Sequence, residues 1–181
     1  MALVEQELIL SAVADTWLNS NQPNQTHGSS FELQVDSGPA QSSLVRFDVT
    51  AIPTTATVTL AELTVTTSND PGGACTVHRV LESWVEGEAT HNDRAANTPW
   101  LAAGASPPST ASVPSGSLAP DSPNTPIIAS LATASVQDWV TDPSTNFGLG
   151  IATVSSDTVR LRSRENVVMI QRPRLRVRFR P

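Results

Sequence analysis

Four tryptophans, Trp17, Trp84, Trp100 and Trp139, are the side chains best suited to chemistry with an outside molecule. The face of an indole receives the C–H groups of a sugar ring, so an exposed tryptophan is a natural stacking platform for a glycan. Trp84 and Trp139 sit among short apolar residues and read as core or corner packing. Trp17 closes a strand-like stretch, and Trp100 stands in a segment rich in Pro, Ala and Ser. These two are the aromatic binding candidates. Trp100 suits a contact outside the fold, with anchorage of its own segment as the default.

The arginines are the second candidate set. All 11 basic residues are arginine, three in residues 1–159 and eight in residues 160–181, within a chain of formal net charge −6. Arg172, Arg174, Arg176, Arg178 and Arg180 alternate with Pro173, Leu175, Val177 and Phe179. A strand of period two sends the arginines to one face and the apolar set to the other. Arg160, Arg162 and Arg164 repeat the pattern. The first reading is a cross-strand ladder with acids such as Glu5, Glu7, Glu32 and Asp36. In the second, Arg172, Arg174, Arg176 and Arg178 dock an acidic neighbouring subunit, since the planar guanidinium suits bidentate carboxylate contacts. A nucleic-acid groove ranks well behind, because no aromatic residue shares the arginine face and the sequence pI is about 4.9.

Catalysis finds little support. His27, His78 and His91 stand in unrelated contexts without the spacing of helical metal ligands, and no Gly-x-Ser-x-Gly elbow or phosphate loop occurs. Glu82, Glu86 and Glu88 offer the paired carboxylates of a glycosidase, but a solvated acidic loop is the expected role. Asp15, Asn19 and Asn24 are oxygen donors for a structural Ca²⁺ and equally good turn formers. No other cofactor is expected. Cys75 is the only cysteine, so no internal disulfide forms, and a buried thiol is expected there.

The elements that must position these residues are strands. Phe31, Leu33 and Val35 alternate with polar neighbours, and Ser43–Val49 repeats the alternation. Residues 7–18, 57–67, 75–80, 147–152, 159–163 and 174–179 read as further extended pieces. Asn69, Asp70, Pro71, Gly72 and Gly73 form a turn, and Leu131–Val140 is the one helix, stopped before Pro143. Residues 93–126 hold seven prolines and too few large apolar residues for a second core, which predicts a long loop or arm without ladder or helix. The fold class is therefore all-β: an antiparallel, jelly-roll-like β-sandwich over 1–181 with one short helix and that Pro/Ala/Ser-rich arm. No apolar run approaches the roughly 18 residues that span a bilayer, so no membrane insertion is expected. The start, Met1-Ala2-Leu3-Val4-Glu5, lacks the basic and apolar regions of a secretion signal.

Four segments, in order, resemble the DNRLRE domain, a family grouped with carbohydrate-binding modules. They are Ala14–Leu18 with Asn24 and Gly28; Leu44–Val49 with Ile52-Pro53 and Ala61–Leu63; Val77–Thr90; and Val136–Trp139 with Asn146–Leu149, Arg162–Glu165 and Arg172–Leu175. His91 stands where the family tends to carry a second tryptophan. The resemblance implies a jelly-roll-like sandwich of extracellular habit attached to polysaccharide-active or cell-wall proteins. Two functions then follow for a non-catalytic chain. One is a structural subunit on the outside of a particle, such as a virion decoration, cement or fibre protein, its arm lapping a neighbouring subunit in an oligomer. The other is a glycan-binding module of an extracellular or cell-surface system.

Overall fold

The computed structural model describes residues 4–69 and 72–181. Met1, Ala2 and Leu3 of the start and Asp70 and Pro71 of the Asn69–Gly73 turn lie outside the described residues. The strands are β1 (Gln6–Asn19), β2 (Glu32–Ser37), β3 (Ala40–Phe47), β4 (Thr57–Thr66), β5 (Cys75–Arg79), β6 (Asp93–Ala95), β7 (Thr98–Pro99), β8 (Gly116–Leu118), β9 (Pro126–Ser130), β10 (Leu149–Thr153), β11 (Val159–Arg162) and β12 (Arg174–Arg180). Among the described residues one α-helix, α1 (Thr133–Thr141), stands between β9 and β10.

The long first strand organises the rest. Residues Gln6–Ser11 pair antiparallel with β12, and Ala12–Asn19 pair antiparallel with β3, with a bulge between Ala12 and Ala14. A bulge bends and twists a strand, so β1 begins in one sheet and ends in the other. The first sheet runs β1-β12-β4-β9 and the second β1-β3-β10-β5-β8. A tight hairpin sends β2 off β3 to pair with β11, and a bridge between Thr67 and Leu161 joins that pair to the end of β4. The result is an all-β antiparallel sandwich, nearly closed on itself.

Between the sheets lies the main core, which includes Phe47, Leu63, Leu149 and Ile151, with Trp139 of α1 at one end. In β12 the alternation is strict: Leu175, Val177 and Phe179 are 0%, 0% and 2% exposed, while the arginines between them stay at the surface. Helix α1 begins two residues later than expected because Leu131 extends the sheet, its N–H donating to the Ala61 carbonyl at 2.9 Å. Gln137 of α1 then caps the start of β4, accepting from the Val58 N–H at 2.8 Å and donating to the Ala56 carbonyl at 3.0 Å.

The arginine face of β12 is a ladder within the chain. Arg176 lies 2.9 Å from Glu7 on one neighbouring strand and 3.0 Å from Glu62 on the other, and Arg178 donates to Glu7 at 2.6 Å. These guanidinium groups hold the Glu7 carboxyl below its ordinary value. Arg162 pairs with Glu32 at 3.4 Å, Arg172 donates to the Asn166 carbonyl at 2.8 Å, and Arg174 lies between Ser11 and Thr64 in register. Two expected acids take other partners: Glu5 accepts from Thr59, and Asp36 from Thr158 and the Gly38 N–H.

The Pro/Ala/Ser-rich segment departs from expectation. Rather than lacking ladders, residues 93–126 contain the short pair β6–β7 and supply β8, which pairs with β5. Proline restricts ladders without forbidding strands of two or three residues. Trp100, Leu118 and Ile127 are buried within the chain, whereas Leu101 and Ile128 are exposed.

Replacing Leu175 by Ala is expected to cost about 2–5 kcal/mol in urea unfolding, the range for large-to-small changes in a packed core. A loss below about 0.5 kcal/mol, typical of surface sites, would contradict the burial of that face.

Candidate functional site

Beyond the bulge, Ala14 through Asn19 of β1 are buried without alternation, so this half of the strand is covered on both sides. One side faces the main core. The other meets a second, smaller cluster in which Ala14, Leu18 and Leu44 of the sheet pack under Val80, Trp84, Ala89, Trp100 and Ala105. The last part of this cover is a strap, residues 102–111, which includes Ala105. Trp100 anchors it, 5% exposed, with its indole N–H donating to the Thr90 carbonyl at 2.9 Å. On the β3 side the strap is held by the Ser42 hydroxyl, which donates to the Gly104 carbonyl at 2.7 Å. On the β5 side the Ala111 N–H donates to the Arg79 carbonyl at 2.9 Å, and the Leu81 N–H to the Ser109 carbonyl at 2.8 Å.

Between strap and sheet lies a half-open pocket of about 380 Å³, a volume suited to a small ligand. Its floor is the outer face of the second sheet. Leu44, Gly150 and His78 lie side by side in register, and the floor continues toward Gln41, Ala152 and Thr153. Thr110 sits directly above Gly150: a Cβ there would come within 3.2 Å of the Thr110 methyl carbon. Gly104 lines the strap side with φ of 71°, and a Cβ on it would meet the His91 ring at 2.8 Å, so a side chain there is both strained and obstructed.

His78 has both ring nitrogens engaged. Nδ1 lies 2.8 Å from the Ala111 carbonyl and must donate to it, leaving Nε2 to take the Thr76 hydroxyl at 2.8 Å. His91 differs: burial pushes its pKa down, favouring the neutral ring, and its Nδ1 is buried without a hydrogen-bond partner. Gln41 Oε1 is likewise buried and unpartnered. At the other end of the pocket stands Asp36. Burial opposes its charge, but bonds from the Thr158 hydroxyl and the Gly38 and Ser37 N–H groups hold its pKa below the ordinary value.

A carboxylate cluster lies apart from this pocket. Asp15, Glu86 and Glu165 bring ligand atoms within 4.8 Å of one another, a grouping that could hold a metal ion. Arg164 already fills the cationic role, lying 3.0 Å from Glu86 and 2.9 Å from Glu165 while its backbone N–H donates to Asp15 at 2.7 Å. A divalent ion bound by all three would have to displace that guanidinium. Burial pushes the Asp15 carboxyl up to about 8 against the pull of the Arg164 N–H, with Glu165 and Glu86 adding to the rise. Burial also pushes the Cys75 thiol up to about 11, leaving it protonated.

The expected binding residues are not gathered into one site. Trp17 is 7% exposed and stacks on His27 at 3.8 Å between ring centroids. Neither Trp17 nor Trp100 presents the open face that sugar stacking needs, because each ring is covered by its own chain. Arg174, Arg176 and Arg178 belong to the outer face of the other sheet, and Arg172 lies in the loop before β12. Asn19 and Asn24 do not join Asp15: Asn19 accepts from the Asn21 N–H at 2.9 Å, and Asn24 accepts from Asn92 at 2.9 Å. Glu82, Glu86 and Glu88 are structural rather than a solvated loop. Glu82 accepts from the Leu101 N–H at 3.0 Å, Glu86 from the Asp15 N–H at 2.7 Å, and Glu88 from the Ala96 N–H at 2.9 Å. The pocket residues Gln41, His78 and His91 carry no motif. The only sequence signal near them is His91 at a family tryptophan position.

Asp15 holds its proton more tightly folded than unfolded. Its contribution is therefore fully present below its unfolded value of 3.8 and lost as pH rises through about 8. The Asp15→Asn variant, which cannot ionise, should gain thermal stability relative to the native chain between about pH 5 and about pH 9. Melting curves at both values check this, and a relative loss would reverse the assignment.

A family model described as carbohydrate-binding module family 96 matches residues 6–178. No curated protein matches the chain. The chain belongs to carbohydrate-binding module family 96.

Proposed function

We propose that this member of a carbohydrate-binding module family is a non-catalytic glycan-binding unit, and that the strap-covered pocket is where the sugar sits. The observation that carries the reading is the half-open pocket itself, about 380 Å³ on the outer face of the second sheet, with Gln41, Ser42, His91 and Thr153 among its lining. A sugar presents hydroxyls that both donate and accept, which suits a lining of mixed polar and apolar side chains. The floor is a hydrogen-bonded sheet, so a ligand would meet a surface already in place, which lowers the ordering cost of binding. DNRLRE-like segments throughout the chain, and the extracellular habit common among such modules, agree with the reading.

Its non-catalytic part rests on the carboxylates. Those of the Glu82–Glu88 segment accept backbone N–H groups or pair with arginines. Asp36, the one carboxylate that lines the pocket among the described residues, is bonded to Thr158 and Gly38. Acid–base cleavage of a glycosidic bond needs two carboxyl groups flanking that bond.

A second reading, a structural subunit of a particle such as a virion decoration, draws on a different feature. Val167, Val168, Met169 and Ile170 stand exposed in succession on the loop before β12, Val167 at 81% and Met169 at 74%. Exposed apolar patches of this kind mark interaction surfaces. Concentration-dependent sedimentation that Met169→Ser abolishes would support it, and a monomer at all concentrations would count against it.

Affinity electrophoresis through gels containing single polysaccharides, both neutral and acidic, tests the main reading. Retardation by at least one is expected, with no release of reducing ends or unsaturated products. Unretarded migration through the whole panel would overturn the binding reading. Product release that Glu86→Gln abolishes would overturn the non-catalytic one.

A further inference from the structure

One phenyl ring among the described residues does present an open face. Phe31 is 59% exposed, whereas the four tryptophans and the other phenylalanines are buried or half-buried. We infer that Phe31 heads a second saccharide-binding surface, a ledge along the outer face of β2 and β11 that takes a strand of polysaccharide by stacking on one of its rings. This rests on the glycan-binding reading above and adds a site separate from the strap-covered pocket.

The ledge follows from the alternation of two paired strands. Leu33 and Val35 of β2 and Val159 and Leu161 of β11 belong to the main core, each at most 1% exposed. The residues between them must then face outward. Glu32 lies opposite Arg162 and Gln34 opposite Arg160 in the ladder, so these four side chains form two cross-strand rows on the outer face. Arg162 is braced there, 3.4 Å from Glu32 and donating to the Asn124 side chain at 2.9 Å. Arg160 is exposed. Phe31 stands at the head of the rows, and its carbonyl accepts from the Ser163 N–H at 3.2 Å, which fixes the backbone that carries the ring.

This composition suits a sugar polymer. The face of the phenyl ring receives the C–H groups of one sugar ring. Beyond it Arg160 and Arg162 offer donors only, so the ligand must present acceptor oxygens, which sugar hydroxyls and carboxylates both supply. A protein partner fits less well. Among the ledge side chains only Phe31 is apolar, whereas a stable protein interface buries about 800 Å² on each side around an apolar centre. The ledge also leads to the pocket: roughly 16 Å of strand separates Phe31 from Asp36, which lines that cavity. A polymer long enough to reach both is held at two points, which strengthens the binding of long chains beyond either contact alone.

Affinity electrophoresis of the full chain through the same polysaccharide gels tests this, with Phe31→Ala and Phe31→Trp run beside it. In at least one polysaccharide that retards the native chain, Phe31→Ala should raise the Kd at least about threefold, within the range of one stacked ring. Phe31→Trp, which keeps an aromatic face on the ledge, should match or exceed the native affinity. Melting curves of the three chains should coincide closely, because the side chain stands largely in solvent. Equal retardation of Phe31→Ala and the native chain in every retaining gel would overturn the ledge and leave the glycan-binding reading intact. A loss that Phe31→Trp does not restore would overturn it too, by assigning the side chain to packing rather than stacking. Free migration of the native chain through every gel would remove both readings.

Discussion

Burial of both faces of β1 beyond its bulge is the constraint from which the rest of the molecule follows. A strand on the surface of a two-layer sandwich needs only one apolar face. Once Ala14 and Leu18 are turned outward, the sandwich must supply a third layer above them. The chain supplies it from residues 80–111, where Trp84, Ala89, Trp100 and Ala105 close over the sheet. The same turn of the strand buries Asp15, which leads to the arrangement of Arg164, Glu86 and Glu165 around it. Strap, acid cluster and pocket are thus consequences of one strand passing from one sheet to the other.

Much of the sandwich was legible in the sequence, and β12 shows why. Its outer face meets water, so polar and apolar residues must alternate, and Arg174 to Arg180 record that alternation residue by residue. The second half of β1 could not be read the same way. Ala14, Asp15, Thr16, Trp17, Leu18 and Asn19 are all buried, and a strand covered on both sides loses its period. Trp100 was the expected anchor of the Pro/Ala/Ser-rich segment and does fix it, but the prolines and small residues around it hid the short strands β6, β7 and β8. The pocket was illegible because it is assembled from Gln41 on β3, His78 on β5 and His91 in a loop, none unusual in its local context. Tryptophan content pointed instead to stacking platforms, but both indoles in question cover the chain's own core.

The charges make a similar point about scale. A net charge of −6 and a cluster of arginines near the C-terminus suggest two opposed surfaces that attract partners. In the fold, Glu7 and Glu62 reach β12 from the flanking strands, Glu7 meeting both Arg176 and Arg178 and Glu62 meeting Arg176. Exposed pairs of this kind add little stability. Their geometric role is clearer: the ladder fixes the register of three strands, since a slip by one residue would bring arginines to the core side. Asp15 and Arg164 do comparable work at the opposite end of β1.

The division of the pocket between floor and strap bears on how such modules diversify. Floor positions are shared with the sheet, whose opposite face is the main core, so a change there disturbs folding as well as recognition. The strap positions Gly104, Ser106 and Pro107 line the cavity and stand outside both core clusters. A lineage can therefore alter what the pocket selects by lengthening or rewriting this one segment while inheriting the scaffold intact. Drift in specificity should be recorded in the strap, and the pairing of β3, β10 and β5 beneath it should change last.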